Sequence, residues 1–294
     1  MSRPIFNGGD FVHNNTVAQA ADRILPLFSL KGRTAIVTGA ASGIGHAVVQ
    51  ALAESGANVA FTYNSNKDKA IEGATAIEKT YNVQCRAYKL DVTAELDIEE
   101  TINQIVREFN GRLDVFVANS GVPWLQGDAV DGDTSHYRKV MATNLDGVFF
   151  CARAAGKHWR RQAAEGTTMD GNNLAGFKQG SFIATASMCG HVVNIPLKQA
   201  PYNASKAAVI HLCKSLAVEW VGFARCNIVS PGYVASEVMH QVPEELLTHF
   251  KNKTPMGRLA LPREMKGAYL YLASDASSFA TGTDIIVDGG YSVT

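Results

Sequence analysis

The chain has 294 residues, 46% of them hydrophobic and 18% charged, with 27 basic residues against 27 acidic ones. That is an ordinary globular composition with length enough for a full core. A net charge of zero, with no basic run longer than a pair, excludes the electrostatic footprint of a nucleic-acid or anionic-membrane binder and leaves small molecules as the expected partners. Apolar runs such as Ala35 to Val37 and Val115 to Ala118 fall far short of the ~20 residues of a membrane span, and the first thirty residues lack the apolar stretch of a secretory signal. Five cysteines, with no Cys-x-x-Cys and no His cluster at ligand spacing, predict free thiols in a reducing, cytoplasmic compartment and no metal site.

Residues 1–26 carry no sustained hydrophobic period and read as an N-terminal extension, with packing expected from Leu27 onward in a single domain, 27–294. Thr34 to Thr38 is a short β-branched strand. It runs into Gly39-Ala40-Ala41-Ser42-Gly43-Ile44-Gly45, after which Ala47, Val48, Ala51 and Leu52 mark an amphipathic helix ending at Gly56. In a strand–glycine loop–helix unit the glycines let the backbone approach a pyrophosphate held by amides at the helix N-terminus, which points to a dinucleotide. The second strand, Asn58 to Tyr63, ends without the acidic residue that would hold free ribose hydroxyls. Tyr63, Asn64, Ser65 and Lys67 stand there instead, and such hydroxyls, amides and an ammonium favour the 2′-phosphate of NADP. The same residues would also serve as a polar turn before a helix.

Further strands are expected over Gln84 to Leu90, followed by Asp91-Val92-Thr93, and over Leu113 to Ala118, followed by Asn119-Ser120-Gly121. Helices are expected over 66–80, Ile98 to Phe109 and Tyr137 to Ala155. This alternation is that of an α/β protein, a Rossmann-like doubly wound parallel sheet with helices on both faces. Asn144 sits within the apolar stripe of Val140, Met141, Leu145 and Val148, as a satisfied core amide or a functional one. Residues 161–180 read as a long, mobile surface loop.

The strand from Ser181 to Ala186 ends at Ser187, at the edge where open α/β sheets bind ligands. Pro201 then opens a helix with Tyr202 and Lys206 four apart, hence on one face. An ammonium one turn from a phenol favours the phenolate, so the pair could exchange a proton with a substrate oxygen near neutral pH. A last strand before Ser230-Pro231-Gly232-Tyr233-Val234, a lid-like stretch over 235–258, a helix over 262–273 and a strand over Asp284 to Val287 complete the chain.

Together Thr38-Gly39-x-x-x-Gly43-x-Gly45, Asp91, Asn119-Ser120-Gly121, Asn144, Ser187, Tyr202-x-x-x-Lys206 and Pro231-Gly232 resemble the short-chain dehydrogenase/reductase superfamily over residues 28–294. The segments Ser187 to Pro196, Lys214 to Trp220 and Ile285 to Tyr291 look most like its fungal sorbose reductases, NADP-dependent mannitol 2-dehydrogenases and related carbonyl reductases. Ser120 departs from the usual Ala, Lys198 stands where an uncharged residue is usual, and loop 161–180 is longer.

The resemblance implies NADP(H) bound by Gly39, Ser42, Gly43, Ile44, Gly45, Tyr63, Asn64, Ser65, Lys67, Asp91, Val92, Asn119, Ser120, Gly121, Tyr202, Lys206, Pro231, Gly232 and Val234. It implies Tyr202 as proton donor, Lys206 lowering its pKa and holding the nicotinamide ribose, Ser187 bonding the carbonyl oxygen, and Asn144 supporting a water in the proton relay. Trp124, Ser187, His191, Val193, Tyr202 and Tyr233 are the candidate substrate contacts. The expected reaction is NADPH-dependent reduction of a ketose to its polyol in a homotetramer. Reduction of hydrophobic or aryl ketones is the alternative, and a silent NADP-binding scaffold is the alternative of another class.

Overall fold

A computed structural model describes residues 6–7, 10–11, 23–237, 239 and 242–294. Most of the N-terminal extension, and with it the sequence expectation for residues 1–5, 8–9 and 12–22, lies outside the described residues. What is described of it is a short antiparallel pairing of β1 (Phe6–Asn7) with β2 (Asp10–Phe11). Leu27 and Phe28 are half-buried, and Leu30 is fully buried.

Seven parallel strands form the sheet: β3 (Thr34–Val37), β4 (Asn58–Tyr63), β5 (Cys85–Lys89), β6 (Val115–Ala118), β7 (Gly180–Thr185), β8 (Ala224–Pro231) and β9 (Asp284–Val287). Their spatial order is β5-β4-β3-β6-β7-β8-β9. The order reverses between β3 and β6, and at such a switch point the loops on either side diverge and leave a crevice at the strands' carboxyl ends.

Successive strand residues feed opposite faces, as the two-residue period of a strand requires. Ile36, Phe116, Ala118, Phe182 and Ala184 pack with Ile98, Ile102 and Ile105 of α3 (Glu95–Glu108), Trp159 of α5 (Gly147–Glu165) and Val209 and Leu216 of α6 (Ala200–Glu219). Ala35, Val37, Val115, Val117 and Ile183 pack on the other side with Val48 and Leu52 of α1 (Gly43–Glu54), Ala74 and Ile77 of α2 (Lys67–Tyr81) and Leu272 of α8 (Lys266–Ala273). The sheet is therefore dry on both faces, and a polar ligand can meet it only at an edge.

The helix expected over Tyr137 to Ala155 begins earlier and ends later. It comprises α4 (Thr134–Met141), a π turn over Ala142–Asp146 and α5, which stops at Glu165 where Gly166 turns left-handed at φ 67°. The loop beyond is tied down more than its composition suggests: Met169 N donates to Gly111 O, Thr168 N to Asn172 O, and Leu174 is buried. The lid-like stretch contains the helix α7 (Glu244–Lys253), whose Phe250 is buried.

Gly180 opens β7 because the rings of α5 leave no room for a side chain there: a Cβ would lie 2.1 Å from a Trp159 ring atom. Trp159 is also wedged edge-on against Trp220 and Phe182. Overpacking of this kind costs about 1–3 kcal/mol. Gly180→Ala is accordingly expected to lower the urea unfolding midpoint while leaving the site's own side chains intact; an unchanged midpoint would show that the α5–β7 contact has slack.

Candidate active site

At the carboxyl end of β7 the chain leaves the sheet through Ser187, which begins a tight turn over Met188–Gly190 and accepts Cys189 N–H at 3.2 Å. Pro201 sits in the first turn of α6, where its missing N–H does no harm, and fixes the start of the helix beside that turn. The Tyr202 hydroxyl adjoins Ser187, which favours its ionised form. Lys206, one turn on and only 3% exposed, donates from Nζ to Thr185 O at 2.9 Å and lies 5.7 Å from the centre of the Tyr202 ring. The three predicted side chains thus converge on one point.

The electrostatics differ from the sequence expectation. Desolvation pushes the phenol of the half-buried Tyr202 above its ordinary value, and the neighbouring Cys189 thiol adds to the rise, opposed by Ser187. Burial also pulls Lys206 down, to about 8. Desolvation is the largest cause of the shift in each group, and the Lys206 ammonium is bonded to the Thr185 carbonyl. Tyr202 is therefore a neutral acid at neutral pH, a state suited to giving a proton.

Asn144 is fully buried at the π turn, a helical irregularity that recurs at functional sites. Its Oδ1 accepts Val122 N at 2.8 Å, and its Nδ2 donates to Val122 O at 3.0 Å and to Ser205 Oγ at 3.1 Å. The side chain is thus held by Val122 and Ser205. Ser205 Oγ in turn donates to Tyr202 O at 2.7 Å, so Asn144 ties the loop after β6 to the first turn of α6.

The residues expected to hold a dinucleotide form a cradle at the switch point. Gly39 and Gly43 take positive φ (62° and 59°), and a Cβ at Gly45 would stand 2.6 Å from Asn119 Nδ2 and 2.7 Å from Gly39 O. The Ser42 side chain does not cap α1, so the amides at Gly43, Ile44 and Gly45 start a helix whose positive end faces outward. Asn119 Nδ2 donates to Thr38 O and Gly39 O, both at 3.0 Å, and Thr38 Oγ1 accepts the amides of Asn119 and Ser120. Gly121 adjoins Asn144 and Lys206.

Gly232 N–H reaches Val287 O just past Pro231, Val234 is buried in a bridge to Ala260, and Ser236 lies over Gly43. Hydrogen bonds from Thr93 hold Asp91 below the usual carboxylate range, and Val92 is buried beside Gly147. A cradle whose backbone approaches so closely that a methyl group would fill it fits a dinucleotide.

Of the residues expected at the 2′-phosphate, Tyr63 is buried in the core, while Asn64, Ser65 and Lys67 are exposed. The sequence reading missed Lys89. The parallel register sets Lys89 of β5 beside Tyr63 of β4, and its ammonium bonds the Asn64 carbonyl oxygen and, at 2.8 Å, Asn64 Oδ1. Lys69 is paired with Glu237, while for Lys67 and Lys89, at the same end of β4 and β5, no carboxylate bond is seen among the described residues.

Two of the candidate substrate contacts turn away. Trp124 is buried within its own loop, its Nε1 donating to Gly127 O at 2.8 Å and its ring filling the space above Gly132. His191 Nε2 lies 2.7 Å from Asp284 Oδ2 and pins the turn after Ser187 to β9. Val193 is 77% exposed and, with Val192, Ile195 and Tyr291, lines a cavity of about 470 Å³. Lys198 pairs with Asp128 at 2.7 Å, joining two loops at the surface. Another cavity, of about 370 Å³, lies beyond Tyr233 toward Arg258 and Asp288 and contains none of the catalytic candidates.

The comparisons with known proteins decide the family. The family described as enoyl-(acyl carrier protein) reductase matches residues 39–292. An L-xylulose reductase of Hypocrea jecorina is 60% identical over 285 residues, 97% of this chain and 99% of that protein. The chain belongs to the short-chain dehydrogenase/reductase family. It is an oxidoreductase of that family, and the resemblance drawn from its motifs is borne out. A probable NADP-dependent mannitol dehydrogenase of Yarrowia lipolytica is 47% identical over 276 residues, 94% of this chain and 93% of that protein. Among solved structures, the NADPH-dependent 3-quinuclidinone reductase of Rhodotorula rubra superposes with a TM-score of 0.85 at 34% identity, covering 95% of this chain and 98% of that one.

Lys206 gives a test of this electrostatic account. Between about pH 8 and its ordinary value of 10.5 the unfolded chain holds a proton on Lys206 that the folded protein does not, so stability contributed by this site rises with pH through that window. Lys206→Met is expected to cut turnover by about 100-fold or more, to keep or raise Tm at neutral pH because a buried charge is removed, and to lose that rise. A Tm that falls at neutral pH would contradict burial as the dominant effect on Lys206.

Proposed function

We propose that this short-chain dehydrogenase/reductase reduces a ketose of the xylulose, fructose or sorbose type to its polyol with NADPH, and runs in reverse as a polyol dehydrogenase. The strongest support is the 60% identity, over nearly the whole of both chains, to a protein named for L-xylulose reduction, with mannitol dehydrogenases next to it. The cofactor preference is supported by those NADP-dependent relatives and by Lys67 and Lys89 beside Asn64, where the end of β4 offers no carboxylate.

The bound dinucleotide supplies the hydride; this chain places the substrate and moves the proton. The side chains of Ser187 and Tyr202 adjoin, and a substrate carbonyl oxygen would take its place between the two hydroxyls. Tyr202 arrives neutral and gives its proton as charge builds on that oxygen. Lys206, held at the Thr185 carbonyl, supplies the cationic neighbour that makes the departing proton less costly. Asn144, through Ser205, keeps the first turn of α6 in register with this act. Its part is that of a strut.

The alternative, reduction of hydrophobic ketones, has one observation in its favour: the apolar rim of Val192, Val193 and Ile195 beside the site. A silent scaffold has none, since the whole proton-transfer set is assembled. Assembly as a homotetramer is part of the proposal, supported by the partly exposed Ile286 on the edge strand β9, and so is a cytoplasmic setting, in keeping with five free thiols.

A panel of ketoses, polyols and aryl ketones assayed with NADPH and NADH tests the reading. Ketoses are expected to be turned over with the higher kcat/KM, and NADPH to be preferred by about tenfold or more, as befits a bound phosphate dianion. Aryl ketones turned over about a hundredfold more efficiently than every sugar would replace the ketose with the hydrophobic substrate, because a site built to bond hydroxyls gains by them.

A further inference from the structure

A buried polar line that no motif of the sequence marks runs from α8 to the glycine cradle. Tyr269 of α8 is fully buried and packs in an apolar layer with Ile183, Val229, Met265 and Leu272. Its hydroxyl meets Thr185 Oγ1 at 2.7 Å, and Thr185 Oγ1 lies 3.3 Å from Asn119 Oδ1. Valine and phenylalanine at these two positions would fill the layer without burying a hydroxyl, and exchanging both partners of such a bond for apolar groups can be close to neutral. Two hydroxyls placed in this layer therefore call for a use beyond packing.

The hydrogen bonds of this line have one direction. Asn119 Nδ2 donates to Thr38 O and Gly39 O, both at 3.0 Å, which leaves Oδ1 facing Thr185 of β7. An amide oxygen can only accept, so the single Thr185 hydroxyl hydrogen goes to it, and the Thr185 oxygen receives from Tyr269. Burial raises the Tyr269 phenol above its ordinary value, in keeping with a group that holds its proton and donates it. At the far end the Asn119 amide supports the cradle itself: it bonds the Gly39 carbonyl, and a Cβ at Gly45 would stand 2.6 Å from its Nδ2. Turned over, the amide would set its oxygen against two carbonyls; the Thr185 hydroxyl favours the right orientation by presenting a hydrogen to Oδ1. The Thr185 carbonyl meanwhile receives Lys206 Nζ, so this one residue faces the cradle with its side chain and the proton-donor pair with its backbone.

We propose that Thr185, aimed by the Tyr269 hydroxyl, is a positioning residue for NADPH, which through Asn119 holds the glycine cradle in the shape the dinucleotide needs. The carbonyl of residue 185 serves Lys206 whatever the side chain, so the effect of the hydroxyl falls on cofactor binding rather than on proton transfer. This role is the same whichever ketone is reduced.

The test is the Kd of NADPH, read from nicotinamide fluorescence as it is titrated into the cofactor-free protein, with Tm recorded for each variant; no ketone is needed. Thr185→Val and Tyr269→Phe are each expected to raise Kd by about fivefold to tenfold, the effect of about one hydrogen bond. Thr185→Ser, which keeps the hydroxyl, is expected to bind within about twofold of wild type, and the double variant Thr185→Val/Tyr269→Phe no more weakly than Thr185→Val alone, because the two hydroxyls act along one path. A lowered Tm with an unchanged Kd in Thr185→Val overturns the assignment and leaves the hydroxyl a packing feature. Thr185→Ser binding as weakly as Thr185→Val overturns it too, since the lost methyl would then be the cause, and so does a double variant whose losses multiply. If Thr185→Val does not fold, a wild-type Kd in Tyr269→Phe is enough to overturn it.

Discussion

The structure depends on one costly act of burial: a lysine ammonium is taken out of water beside a half-buried tyrosine at the junction of β7 and α6. Nothing acidic is spent on neutralising Lys206. It is met by the Thr185 carbonyl, and Thr185 Oγ1 is itself held by the Tyr269 hydroxyl at 2.7 Å. A buried cation satisfied only by dipoles has a lowered pKa, and a buried phenol has a raised one. The pair is thereby set to give a proton rather than to sit as a phenolate, which is the state that reduction of a carbonyl needs.

The fold provides the place where this can be done. With both faces of the sheet covered, polar chemistry is confined to the carboxyl edge, and the reversal of strand order between β3 and β6 opens that edge at one point. Stitches from Thr38 to Asn119 and Ser120 draw the two diverging loops together below the glycine cradle. Asn144 continues the same line of support from Val122 to Ser205 and so to Tyr202. Cofactor cradle and proton donor are thus built on one connected frame, with backbone groups doing most of the holding.

Much of this was legible in the sequence because it rests on short-range rules. Strand period, glycine at turns and the four-residue spacing of Tyr202 and Lys206 each act within a few residues, and β9 falls on Asp284–Val287 as expected. What was not legible came from neighbours far apart in the chain. Lys89 joins Asn64 only because β4 and β5 pair in a particular register, which could have been inferred once the strands were ordered. The desolvation that raises Tyr202 and lowers Lys206 depends on how the surrounding elements pack on them, and no local pattern carries that. Trp124 and His191 share a stretch with active-site residues, yet Gly127, Gly132 and Asp284 draw their side chains elsewhere.

The claim most exposed to measurement is that Tyr202 is a neutral acid in the protein without cofactor. Subtracting the alkaline titration of the phenolate absorbance of Tyr202→Phe from that of the wild type isolates this one residue. The account predicts no difference signal at or below pH 10, the ordinary value of a phenol, because burial holds the proton on. A phenolate attributable to Tyr202 near pH 8 would contradict it and restore Lys206 as the dominant influence.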